Sequence, residues 1–293
     1  MALPDYPELA PITLEMQADL HPALAVVEDG ISEFTFANLY LFRKTYNYHL
    51  ARVGDLVVVS GTKDGKRFFM MPCGLPDDNG ALERLLADHD YIKGLAERHA
   101  DSNRVRLERL GWRPEEDRDN FDYLYLRSDL AALQGRKYHK KRNLVNAFIN
   151  NYNYEESPLT KDNIAEAFHI LEQWREERTT KDDDYDAAWE ALDLVDRLGL
   201  HGYVVRVDGT PAAYTLGEAL MKGRSFAVHF EKAIGDYKGI YQFINRAFAS
   251  VLPRHYHYIN REQDLGDEGL RQAKMTYRPF GFIKKYKVMP SGE

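Results

Sequence analysis

The sequence has a single cysteine, Cys73, among 293 residues. An internal disulfide and any multi-cysteine metal site are thereby excluded. Long apolar runs are also missing. The strongest short one, Leu56–Ser60, falls far below the roughly 20 residues that a membrane-spanning helix needs, and it reads as a strand. The N-terminal stretch carries Asp5, Glu8 and Glu15 among prolines, where a secretion signal would show a basic start and an apolar core. A cytoplasmic protein without a membrane span is expected. The ten histidines include no H-x-x-x-H or comparable ligand spacing, and no serine or cysteine nucleophile motif occurs. No metal site is expected. Basic charge is short overall: a net charge of −7 argues against a general nucleic-acid coat, which would be broadly basic.

What remains is ample for a core, with 44% hydrophobic residues. At about 100–200 residues per domain the length suits one large or two medium domains. The basic charge is concentrated in G-R-K-Y-H-K-K-R-N (135–143), where Arg136, Lys137, Lys140, Lys141 and Arg142 fall within seven positions, and recurs in Lys284, Lys285 and Lys287. An acidic chain with one basic segment suits a grip on a single anionic ligand.

Periodicity predicts helices over 14–25 and 33–46, then strands at His49–Val53, Leu56–Ser60 and Arg67–Met71, with Asp64-Gly65 as a hairpin turn. A helix over 81–99 and strands at 105–110 and 121–126 follow. Helices are predicted over 130–152, 161–178 and 183–198. Strands at 203–207, 212–220 and 225–231, a helix over 240–252, a strand at 255–259, a short helix over 270–277 and a strand at 280–288 complete the chain. The second half has the order of a GNAT-like acyltransferase fold, and the first half shows a looser version. The expected class is α+β, with two tandem GNAT-like domains, 1–130 and 131–293, each a mixed, mostly antiparallel sheet flanked by helices.

Four stretches carry a family resemblance: G-R-K-Y-H-K-K-R-N (135–143), A-A-Y-T-L-G-E (212–218), H-F-E-K-A (229–233) and I-N-R-E-Q-D-L-G-D-E-G-L-R-Q-A-K-M-T-Y-R-P (259–279). With E-F-T-F-A-N-L-Y (33–40) they resemble the bacterial proteins grouped with the C-terminal domain of phosphatidylglycerol lysyltransferase. The resemblance implies a tandem GNAT fold akin to the Fem aminoacyl transferases, which pass an amino acid from aminoacyl-tRNA to an amine or hydroxyl acceptor. Lipid-modifying members carry membrane helices ahead of this domain. None is evident here, so a membrane-resident acceptor is not implied.

Acyl transfer needs donor and acceptor aligned, a proton acceptor and stabilisation of an oxyanion. In a GNAT fold that site lies where two central strands part. Alternation on the strand ending H-F-E-K-A puts His229 and Glu231 on one face, with Glu231 as base or proton relay and His229 beside it; a structural ion pair at a strand end is the competing account. Asn260, Arg261, Glu262 and Asp264 crowd a strand end opening a helix, where sites are built, although helix capping by itself accounts for Asp264. Asn260 and Glu262 are catalytic candidates, and Arg261, Asp264, Tyr214 and Tyr241 are expected around the pocket. Arg271 and Lys274, one turn apart, can face an anionic ligand or solvent. The segment G-D-Y-K-G (235–239) matches poorly the loop that cradles coenzyme A pyrophosphate, but Lys238 and Gly239 remain anion-binding candidates. By the family resemblance, Lys137, Lys141, Arg142 and Asn143 contact donor phosphates; a solvated helix face is the ordinary account of such a run. Glu33, Phe34, Phe36 and Asn38 suit packing and a helix–helix hydrogen bond.

Three functions follow. The first is aminoacyl transfer from aminoacyl-tRNA, with tRNA as partner, to a small-molecule or peptide acceptor. The second is an acyl-CoA-dependent N-acyltransferase. The third is a non-catalytic ligand-binding protein on the same scaffold, expected if Phe230 or Tyr241 plugs the gap between strands; an open gap lined by Glu231 and Asn260 favours an enzyme.

Overall fold

Hydrophobic alternation and amphipathic stripes build the same order of elements twice in the computed structural model, which describes residues 3–177 and 184–292. The first pass comprises β1 (Ala10–Pro11), α1 (Gln17–Ala25), α2 (Phe36–Leu41), β2 (His49–Val53), β3 (Leu56–Lys63), β4 (Lys66–Met70), α3 (Asn79–Asp88), β5 (Tyr91–Ala96), α4 (Glu97–Arg109) and β6 (Trp112–Glu116). Next come β7 (Asp122–Leu126), α5 (Arg127–Ala132) and α6 (His139–Asn151). The second pass comprises β8 (Tyr154–Pro158), α7 (Ile164–Glu176), α8 (Tyr185–Asp193), α9 (Val195–Leu198), β9 (His201–Val207), β10 (Thr210–Leu220), β11 (Ser225–Ala233), α10 (Ile240–Val251), β12 (Tyr258–Asn260), α11 (Glu268–Met275), β13 (Gly281–Ile283) and β14 (Lys285–Pro290).

One sheet runs β1-β2-β3-β4-β5-β14-β6 and the other β8-β9-β10-β11-β12-β7-β13. In each, the first four strands are antiparallel and the fourth and fifth, β4–β5 and β11–β12, are parallel. A parallel pair needs a crossover, which α3 and α10 supply. The sixth place in each sheet is taken by a strand distant in sequence, β14 in the first and β7 in the second. The compact units accordingly differ from the expected halves. The first holds the chain up to Asp122 with Gln263–Gly266 and Phe282–Glu293; the second holds Tyr123–Glu262 and Asp267–Gly281. A period-two pattern marks a strand but not its place in a sheet, so the sequence could not place β14.

Several local expectations are corrected: the helix over 33–46 contracts to Phe36–Leu41, and that over 130–152 breaks at Leu133, which has φ 48°. The expected helix over 81–99 ends at Asp88 and is followed by β5, and the expected strand at 105–110 lies within α4. Tyr91–Ala96 is buried on both faces and so shows no alternation. The expected helix ends at Arg178 and Asp183 lie outside the described residues.

In the first unit Phe69, Leu82, Leu85, Ile92, Leu107 and Val288 form the core, each wholly buried. Full burial contributes about 1.5–3 kcal/mol per large side chain. Phe34 and Phe36 are buried as expected, and Glu33 accepts from the buried Lys285, which also bonds Asp122 at 2.7 Å. In the second unit α10 buries Ile240, Phe243, Ile244, Ala247 and Phe248, the spacing of a single helical stripe. Phe243 stacks on Phe148 of α6 with ring centroids 4.6 Å apart. Gly239, before α10, has φ +92° and a Cβ there would lie 2.1 Å from the Leu144 carbonyl oxygen, so only glycine fits. The α6–α10 approach therefore depends on it.

Candidate active site

The parallel pairing of β11 with β12 covers Ser225, Phe226 and Ala227 against Tyr258, Ile259 and Asn260. β11 continues to Ala233 while β12 ends, and the two diverge. Along the other edge of β11 the register slips: Leu216 faces Phe230 but Gly217 faces Val228, leaving His229 as the extra residue of a bulge. The bulge cancels the alternation that would have set His229 beside Glu231.

The His229 ring is fully buried and lies between two carboxylates. Nδ1 is 2.7 Å from Glu262 Oε1 and Nε2 is 3.1 Å from Glu218 Oε1. Burial opposes its charge, but the Glu262 and Glu218 carboxylates outweigh it and raise the imidazole to about 10. At neutral pH it is an imidazolium donating to both sides, with no lone pair to act as a base. The residue is nevertheless partly exposed, and with its side chain at 0% that exposure belongs to the main chain of the bulge. Asn260 is wholly buried; its Oδ1 accepts from the Glu262 N–H at 2.8 Å and fixes Glu262 at φ 53°.

A second bridge spans the divergence. Arg261 donates to Glu231 Oε1 at 3.0 Å, and Asn245 of α10 donates to Oε2 at 3.1 Å. Glu231, expected as the base, therefore has both oxygens engaged. Arg261 stands 5.1 Å from the Tyr277 ring centroid, and the Lys141 ammonium of α6 lies 4.0 Å over the same ring. Burial, with the Arg261 charge, lowers the Lys141 amine to about 8. Among the described residues no carboxylate pairs with Lys141. Burial likewise pushes the Tyr277 phenol up to about 12.

Other expected residues take different places. Lys274 turns inward, donating to the Arg261 carbonyl at 2.7 Å, while Tyr125 donates to the Lys274 carbonyl at 2.8 Å. Arg271 lies one turn earlier on α11, half-exposed. Lys137 pairs with Asp129 at 2.8 Å, and Arg142 donates to the Leu133 and Gly135 carbonyls past the end of α5. Asn143 is exposed on α6. The Lys238 N–H, expected for an anion, donates to the Tyr152 hydroxyl, and the Ile240 N–H that opens α10 donates to the Tyr237 carbonyl. Tyr214 is buried across from Lys232, on the sheet face opposite Glu231, and Tyr241 is exposed on α10. Asp264 belongs to the first unit, where Arg118 pairs with it at 3.2 Å and the Gly266 N–H donates to it. Two ionic bridges cross the gap, Arg261 to Glu231 and Glu262 to His229. Glu218, Asn245 and Tyr277 were missed, although Glu218 and Tyr277 lie inside the quoted motifs: an acid within an otherwise largely apolar strand was the available signal for Glu218.

Two GNAT-like units with polar groups gathered where a central parallel pair parts define an acyltransferase-type fold. Residues 24–289 match the family model described as phosphatidylglycerol lysyltransferase, C-terminal, and the chain belongs to that family. It is similar to a conserved protein of unknown function from Bacteroides thetaiotaomicron, with 32% identity, a TM-score of 0.86, and 99% of this chain and 100% of that one covered. L-PGS from Bacillus licheniformis shares 12% identity over 100% of this chain and 95% of that one, with a TM-score of 0.63. FemX shares 9% over 97% and 98%, with a TM-score of 0.58. The last two likenesses concern the fold. No curated protein matches the sequence.

Proposed function

We propose that this protein transfers an aminoacyl group from aminoacyl-tRNA to an amine or hydroxyl acceptor where β11 and β12 diverge. The family match over residues 24–289 carries the reading. The geometry supports it through three provisions. The main chain of the His229 bulge is exposed beside the gap, where N–H groups can meet a developing oxyanion. Arg261 and Lys141 place positive charge along the same gap. Arg136 and Lys140, exposed in the same basic segment as Lys141, suit donor phosphates.

A coenzyme A donor is disfavoured by the Lys238 and Ile240 amides, whose hydrogens are already donated. No helix among the described residues is long and apolar enough to cross a membrane, so small molecules and peptides are included as acceptors. The test supplies radiolabelled aminoacyl-tRNA or acyl-CoA to the purified protein with cell extract as acceptor. Label is expected to leave aminoacyl-tRNA. Transfer from acyl-CoA alone replaces the reading, and transfer from neither makes the protein a ligand-binding one.

A further inference from the structure

We infer that Lys141 is the proton acceptor of this site, taking the proton from the acceptor nucleophile at the face of Tyr277 beside Arg261. The inference rests on the transfer reading above and names the group that performs its proton transfer.

The groups around the gap leave one with a free role. His229 donates through both ring nitrogens to Glu262 and Glu218. Glu231 accepts from Arg261 and Asn245 on separate oxygens. Arg261 is permanently charged. Lys141 alone stands half-buried with an aromatic face below it and no carboxylate partner among the described residues. The charged and titratable groups that bear on it come from several elements. Arg261 follows β12, Tyr277 follows α11, and Glu231 of β11 and Tyr125 of β7 act on it through Arg261; α10 contributes the uncharged Asn245. The net local charge is positive, which disfavours a second proton-bearing cation. With the amine lowered to about 8, roughly a quarter of Lys141 is neutral at about pH 7.5. A base poised near the working pH is the efficient one.

The step balances without another reagent. The neutral Lys141 Nζ takes the proton of the acceptor N–H or O–H as its lone pair bonds the aminoacyl carbonyl carbon. The carbonyl π electrons move to oxygen. When they return, the ester C–O bond breaks, and the departing ribose oxygen receives the proton from the Lys141 ammonium.

The test compares wild type, Lys141→Arg and Lys141→Ala across pH 6–10 with aminoacyl-tRNA as donor. Arginine keeps the charge but cannot give up its proton. The inference predicts a wild-type rate rising to a plateau with its midpoint near pH 8. It also predicts a loss of about 100-fold or more in Lys141→Arg, with donor affinity retained, and partial rescue of Lys141→Ala by added primary amine. Lys141→Arg activity at the wild-type level, with the same pH limb, overturns the inference and leaves the transfer reading standing. No transfer by wild type from any donor overturns the transfer reading and this inference with it. A second readout is independent of turnover: the pH dependence of Lys141 acylation by acetic anhydride, followed by mass spectrometry. A midpoint near 8 supports the inference, and a midpoint at the ordinary lysine value near 10.4 contradicts it.

Discussion

Arg261 holds Glu231 at 3.0 Å across the gap that opens where β12 stops and β11 runs on. Its neighbour Glu262 holds His229 across the same gap. Successive residues of one strand end thus bridge to β11 twice, with opposite charges meeting each time. Side chains replace the backbone ladder there, and main chain at the bulge is left open beside them.

Removing one partner of the first bridge leaves the other charge buried and unpaired. The side chains are only 14% and 12% exposed. Arg261→Met or Glu231→Leu is expected to cost about 3 kcal/mol, and the double change less than the sum of the two. A double-mutant cycle by urea denaturation measures this; strict additivity argues against the coupling.

The second bridge gives a pH dependence of stability. The folded His229 value of about 10 lies above its ordinary 6.5. Its contribution is therefore fully present below about 6.5 and is lost as pH rises through 10. Stability is expected to fall between pH 6.5 and 10, and this slope is expected to flatten in His229→Gln. Denaturant midpoints at pH 6.5 and 9.5 for both proteins are the measurement.

Gly239→Ala combines an unfavourable φ of +92° with a Cβ 2.1 Å from the Leu144 oxygen. A loss of more than about 1 kcal/mol is expected, with α10 displaced from α6. Thermal unfolding checks the first, and reduced transfer activity accompanies it.

The basic segment separates into two roles. Arg142 satisfies the carbonyls of Leu133 and Gly135, so Arg142→Ala is expected to lower stability. Arg136 and Lys140 are exposed, so changing both to alanine is expected to leave stability intact. It is also expected to reduce the slope of log affinity for tRNA against log salt by about two. Filter binding across a salt series reads this.

Much of the fold was legible because local chemistry and tertiary structure agree. Asp64-Gly65 adopts positive φ at both positions, as a tight hairpin with those residues requires. The 240, 243, 244, 247, 248 spacing announced α10. The losses have physical causes: β5 is buried on both faces, so no alternation showed, and β14 finds its neighbours β5 and β6 through long-range pairing that periodicity does not record. At the site, the motif residues Glu231, Arg261, Glu262 and His229 do come together in pairs. The His229 bulge changed which pairs, because one inserted residue reverses the faces of a strand. Asp264 lies in the other unit.

The most direct test of the account is single-turnover transfer from radiolabelled aminoacyl-tRNA to an extract acceptor by wild type and Lys141→Arg. The account predicts label leaving tRNA with the wild type and about 100-fold slower with the variant. Label that moves only from acyl-CoA, or equally fast with both proteins, contradicts it.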